Sequence, residues 1–219
     1  MSNSTTLKYA VLTFVLFSLS FVVSCQKAAV LTADQAKQNP SEALLAAMSR
    51  MRDGKSYRIE NKRSITSSSL EYLAPDRFHH IIKLNGSTSE RIAVGKTFYD
   101  REDGSAWKKR DALTDEPGGS LSKYHRKDVW DEAVKKADVT LVGEESLDGV
   151  KCVVFEYVIP APVAPLYKGN PKHKTWITVD NGLPHKTIIE GASMPLGTLE
   201  KEVITYSNFD GNLKIEPPI

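Results

Sequence analysis

Between Ser56 and Arg110 the chain alternates apolar and polar residues in short runs cut by turn residues. That period of two predicts strands at Tyr57–Ile65, Ser69–Leu73, Arg77–Leu84, Glu90–Val94, Thr97–Arg101 and Ala106–Arg110. Asn85-Gly86 and Asp103-Gly104 are hairpin turns, and Ala74-Pro75-Asp76 is a turn that proline restricts, so successive strands are antiparallel neighbours. Along the third run, Phe78, His80, Ile82 and Leu84 fall on one face and His79, Ile81 and Lys83 on the other. The first set is the better candidate for the interior.

Strands resume at Asp138–Leu147 and Val150–Ile159, joined by an Asp148-Gly149 turn, and again at Lys174–Asp180 and His185–Glu190 across Asn181-Gly182-Leu183-Pro184. A last strand spans Leu199–Ser207. Between these hairpins Pro160, Pro162, Pro165 and Pro171 must cross a surface or rim, because proline cannot pair inside a sheet.

The pattern changes to a helical period in two places. Asn39-Pro40-Ser41-Glu42 supplies a cap, a proline at the first helical position and an acid placed to reach back. Leu44, Leu45, Met48 and Met51 then share one face before Asp53-Gly54 stops the helix. From about Ser122 to Lys136, Val129, Ala133 and Ala137 form one ladder and Trp130 and Val134 a second, opposite a charged side. The fold class expected is α+β: about ten antiparallel strands, too many to lie flat, curled with two or more helices lying on one side.

Ahead of this domain lies a different kind of sequence. Lys8 is the only charged side chain before Cys25, and Tyr9–Val23 is almost wholly apolar, too short for a retained span and suited to a signal peptide. The expected organisation is a signal at 1–24, a lipidated Cys25 with a tether at 25–39, and one domain at 40–219. The stretch Leu19–Cys25 resembles the bacterial lipobox, which implies acylation of Cys25 and a membrane attachment. Removing residues 1–24 takes away Lys8 and leaves 28 of the 29 basic side chains against 27 acidic ones, a balance that disfavours nucleic acid as a partner. Cys152 then has no internal cysteine to pair with.

Candidate chemistry is thin. His79 and His80 point to opposite faces of one strand, and no other histidine stands at a chelating spacing. His125 and Asp128 read as a solvated helix face, and Cys152, alternating with Val154 and Val158, as a buried small hydrophobe. Gly191-Ala192-Ser193-Met194 lacks the second glycine and the strand-to-helix turn of a nucleophile elbow. No enzyme, metal or cofactor is expected. Lys108-Lys109-Arg110 and Lys172-His173-Lys174 read as solvated clusters, with Trp107 and Trp176 beside them on strands.

Three stretches carry a family resemblance: Tyr72–Phe78, Val94–Asp100 with Trp107-Lys108-Lys109, and Trp176–Pro184. With the Asp148-Gly149 hairpin and the ending Tyr206-Ser207-Asn208-Phe209, most of Leu44–Pro217 resembles the LolA/LolB/LppX superfamily of bacterial lipoprotein and lipid carriers. The resemblance implies a curved half-barrel whose apolar side, covered by helices, holds an acyl chain, lipid or lipoprotein anchor. Leu44, Met48, Phe78, Ile82, Phe98, Trp107, Val129 and Trp130 are the expected lining. An anchored form fits an acceptor, a lipid-binding lipoprotein or a sensor better than a shuttle. Gln26 in place of the inner-membrane retention Asp implies attachment at the periplasmic face of the outer membrane. The alternative is a non-enzymatic envelope sensor with a filled barrel that binds a protein.

Overall fold

The computed structural model describes residues 31–111, 127–159, 170–191, 193–194, 197–198 and 201–219, with the side chains of 127–130, 193–194 and 197–198 left aside. Its first element, helix α1 (Ala33–Gln38), lies inside the stretch read as a tether. The Thr32 hydroxyl accepts the Gln35 N–H and the Gln35 side chain accepts the Thr32 N–H, a reciprocal cap that makes six residues helical where periodicity is too short to read. Helix α2 (Pro40–Asp53) has the predicted bounds: the Asn39 side chain accepts the Glu42 N–H at 3.3 Å, and the chain turns out at Gly54. Leu44, Ala47, Met48 and Met51 are its buried face.

Eleven strands form one antiparallel sheet. In chain order they are β1 (Ser56–Lys62), β2 (Thr66–Leu73), β3 (Arg77–Leu84), β4 (Ser87–Val94), β5 (Thr97–Glu102), β6 (Lys108–Asp111), β7 (Thr140–Leu147), β8 (Val150–Val158), β9 (Lys172–Thr178), β10 (Pro184–Glu190) and, after the two-residue pair β11 (Ser193–Met194) and β12 (Gly197–Thr198), β13 (Lys201–Ser207). Their order across the sheet is β6-β5-β4-β3-β2-β1-β13-β10-β9-β8-β7, so among the described residues β6 and β7 are the edge strands and the sheet does not close. Helix α3 (Lys127–Lys135) falls within the second predicted helix, whose earlier part lies outside the described residues, as do His125 and Pro160, Pro162 and Pro165. The strand tally is thus slightly above that expected, and the architecture is the curved, helix-covered antiparallel sheet.

Most strand bounds fall within a few residues of the predicted ones. The β1–β2 hairpin is shifted: the Arg63 N–H donates to Thr66 O at 2.8 Å, and Thr66–Ser68, ahead of the strand expected to begin at Ser69, are paired in β2. Partners on both sides decide strand residence here over intrinsic preference. The Asn85-Gly86 and Asp148-Gly149 turns have positive φ at both residues, the geometry that joins two twisted strands with least splay.

The sheet has two unlike faces. Tyr57, Ile59, Leu70, Tyr72, Phe78, Ala93, Phe98, Val153, Phe155, Tyr157 and Ile177 face α1, α2 and α3 and form the main core with Leu44, Met48, Met51, Ala133 and Val134. The outer face carries two smaller clusters. One gathers Ile92 and Tyr99 beneath Ile215 of the C-terminal tail, whose carbonyl accepts from Arg77 at 2.7 Å; the other gathers Cys152, Val154 and Trp176. The helices attach at one end of the strands: Arg50 on α2 donates to Asn181 O at 2.8 Å in the β9–β10 turn. Gly182 there has φ +63, and a side chain at that position would collide with the Arg50 guanidinium. The β1–β2 and β3–β4 turns lie at the other end.

Candidate functional site

The helix-covered face changes character along the strands. Beneath the helices it is an aromatic floor, with Tyr72 packed against Tyr57 at 5.1 Å and Phe78 at 5.2 Å between ring centroids. Nearer the hairpin end it becomes half-buried and mixed, because Ser68, Ile82 and Ser89 stand side by side on β2, β3 and β4. On β4–β6 the same face carries Arg91, Asp100 and Arg110, with Asp100 accepting from both arginines at 2.5 and 2.6 Å and both guanidinium groups set against the Phe98 ring. Partial burial pushes the Asp100 carboxyl up, but the hydrogen bonds from Arg91 and Arg110 outweigh it and hold the pKa below its usual value.

A buried polar strip crosses the other half of this face. Tyr157 OH and Thr175 Oγ1 share a hydrogen bond of 3.1 Å, Thr175 and Thr187 one of 2.9 Å, and Thr187 and Tyr206 OH one of 3.3 Å, linking β8, β9, β10 and β13. His173 stacks on Tyr157 at 4.8 Å, and its Nδ1–H donates to Pro171 O at 3.1 Å. Glu202 accepts from the Asn61 amide and from Arg63 at 3.0 Å. Burial lowers the pKa of His173 to about 4 and raises that of Tyr206 to about 12. The strip therefore offers hydrogen bonds, and neither of these groups exchanges a proton near neutrality.

Of the expected lining residues, Leu44, Met48, Phe78 and Phe98 are buried in the main core under the helices. Ile82 is half-buried on the same face, nearer the hairpin end. Trp107 lies elsewhere: it packs on the outer-face cluster of Ile92, Tyr99 and Ile215, with the Arg101 guanidinium 4.4 Å from its ring centroid. Val129 and Trp130 are in α3, but their side chains fall outside the described residues. Cys25 also lies outside them.

Of the two basic clusters, Lys108-Lys109-Arg110 is exposed as expected, and the other needs a correction. Only Lys172 of Lys172-His173-Lys174 is exposed; His173 is 1 % exposed in the interior, and Lys174 bonds Glu145 at 2.8 Å beside Trp176 on the outer face. Cys152 is buried on the outer face, and burial pushes its thiol pKa up, as a structural cysteine's would be. His79 and His80 do point to opposite faces; His79 lies between Glu90 at 2.7 Å and Glu71 at 3.4 Å in an outer-face ladder. Sequence reasoning missed the polar strip and Glu202; the one signal for it was threonine recurring at inward positions, Thr175 and Thr187, of otherwise apolar strands. Among the described residues there is no cluster suited to a metal ion, and no helix long and apolar enough to cross a membrane.

No family model matches the chain, and no curated protein sequence matches it. Solved structures do. The lipoprotein LppX of Mycobacterium tuberculosis is 14% identical over 81% of this chain and 100% of its own, with a TM-score of 0.56. LprF of Mycobacterium bovis is 16% identical over 82% and 97%, also at 0.56. At this identity the likeness is one of fold, and it is the LolA/LolB/LppX-like architecture that the sequence resemblance implies.

Proposed function

We propose, from the fold shared with LppX and LprF, that this chain is a lipid-anchored envelope protein that binds an acyl chain, lipid or lipoprotein anchor between its sheet and helices. The observation that carries the reading is the continuity of the helix-covered face, which runs from the aromatic floor at Tyr57, Tyr72 and Phe78 out to half-buried Ile59, Ile82 and Ile204. An acyl chain laid along it contributes about 0.8 kcal/mol per buried CH₂ before ordering costs. Ile82 is where the ligand enters. Leu44, Met48, Phe78 and Phe98 meet it as the helices part from the sheet, and Met48 and Met51 re-pack readily around an irregular tail. Cys25 carries the anchor, placing the domain at the periplasmic face of the outer membrane. No reaction is assigned to it.

One observation favours a second reading. Leu44, Phe78 and Phe98 have almost no accessible surface, as in a filled interior, which suits an interaction protein that uses its rim to bind an envelope partner. Lipid content separates the two. The Cys25→Ser chain without residues 1–24, purified and extracted with organic solvent, is expected to release lipid and to bind fluorescent fatty-acyl probes at micromolar protein. Recovery of no lipid, together with no probe binding, sinks the ligand-binding reading in favour of the second. Ile82→Lys is expected to abolish probe binding while the urea midpoint stays near the parent value, because Ile82 is only half-buried.

A further inference from the structure

At the end of the strands away from the helices, the β1–β2 and β3–β4 turns enclose an open groove of about 520 Å³ lined by Lys62–Ser67, Lys83, Asn85 and Gly86. Two large apolar side chains stand at its tip. Ile65 is 61 % exposed and Leu84 41 % exposed, and the backbone sets them at the same end of the ladder, Leu84 pairing with Thr66, the residue after Ile65. Such exposure costs solvation without adding to the core, so large apolar side chains left at the turn ends mark a contact surface. Lys62 and Lys83 flank Ser67 in one cross-strand row, about 10 Å apart at two strand spacings. Among the described residues neither lysine has an ion-pair partner, and no carboxylate lines the groove. Arg63 is committed to Glu202 at 3.0 Å and serves the strip beneath.

We propose that this tip docks the open end of the domain onto an anionic bilayer, with Ile65 and Leu84 entering the acyl boundary and Lys62 and Lys83 meeting lipid phosphates. Toward the tip Leu84 leads Lys83 by one residue and Ile65 leads Lys62 by three, and apolar side chains ahead of cations is the order in which a bilayer surface presents its layers, tails beneath charged head groups. An acidic protein surface would satisfy the lysines and leave the apolar tip unburied. The contact places the entrance at Ile82 beside the lipid. It needs no ligand in the interior, so it stands or falls separately from the lipid-binding reading.

The test uses the full chain bearing an environment-sensitive fluorophore at Ile65→Cys, with a second chain labelled at Val142→Cys, another exposed apolar position, as the reference. Cys152 is fully buried and does not compete for label, and Cys25 is replaced by serine in both chains. In vesicles of phosphatidylcholine with phosphatidylglycerol, the label at 65 is expected to blue-shift and to be quenched by lipid-borne quencher, while the label at 142 is not. Lys62→Glu with Lys83→Glu is expected to lower the docked-to-undocked ratio at 65 by at least roughly 25-fold, since each lysine near an anionic surface contributes about fivefold and the introduced carboxylates add repulsion. High salt should act in the same direction. Equal behaviour at 65 and 142, or insertion at 65 that ignores charge reversal or occurs equally in pure phosphatidylcholine, overturns the proposal.

Discussion

Asp131→Ala is expected to destabilise the chain by about 3–5 kcal/mol, the usual result of leaving one member of a buried ion pair alone. Arg52, on the last turn of α2, is 2 % exposed, and its Nη2 donates to Asp131 Oδ1 at 2.7 Å on α3. Among the described residues its Nε and Nη1 are buried without a hydrogen-bond partner, so the carboxylate of Asp131 is what makes the charge tolerable there. Asp131 itself is half-buried and can return to water; Arg52 cannot without moving the helix. Arg52→Met should therefore be far milder, within about 1 kcal/mol of the parent, since it removes the charge along with its cost. Urea unfolding followed by far-UV circular dichroism on the three chains decides the matter. Coincident midpoints for Asp131→Ala and the parent would remove the pair from any account of how α3 is held.

Acid is expected to weaken the fold by about 3 kcal/mol between pH 6.5 and pH 4 through His173 alone. Its folded pKa of about 4 lies below the ordinary 6.5 because burial against Tyr157 disfavours the imidazolium. Above pH 6.5 the ring is neutral in both states and the contribution is whole. As pH falls through the window the unfolded chain takes up a proton that the folded chain refuses, and stability declines until about pH 4. Desolvation pushes the Glu90 and Asp100 carboxyls up, but hydrogen bonds from His79 and Arg101 to Glu90, and from Arg91 and Arg110 to Asp100, outweigh it and hold both below their usual values, so they add their own losses further down. His173→Gln should start less stable at pH 7 and show a shallower decline down to pH 4. Parallel pH profiles for the two chains would show that the loss arises elsewhere.

How far residues declare their structure differs from element to element here. Helix α2 was fully legible because Asn39, Pro40 and Gly54 mark both ends and the apolar stripe runs unbroken. Strand β3 was legible because a proline-restricted turn and an Asn-Gly turn bracket it. Trp107 shows the opposite case. It was expected to line the interior from a strand beginning at Ala106, but β6 begins at Lys108, and the ring lies against Ile92, Tyr99 and Ile215 on the outer face. Facing is decided by parity across neighbouring strands, and a single residue reverses it. His173 was misread for a related reason. Lysines on both sides suggested solvent, yet in a strand the neighbours at i±1 point away from the residue between them. The hydroxyl strip was invisible because its members come from four strands and meet only once the sheet order is known.

Leu31, the first described residue, lies beside Gly182 at the helix end of the strands, whereas Ile65 and Leu84 lie at the other. Eight strand residues separate the two ends by about 26 Å. The backbone from Cys25 to Leu31 spans at most about 20 Å when fully extended. For a chain acylated at Cys25, standing upright would hold the apolar tips clear of the bilayer that receives the acyl groups. Because such a tether lets Leu31 stand up to about 20 Å from the bilayer, attachment at Cys25 together with tip contact requires the long axis of the sheet to lean to within about 50° of the membrane plane. Polarised infrared dichroism on oriented films would then report strands leaning away from the membrane normal, and loss of tip contact would appear as rotation rather than release.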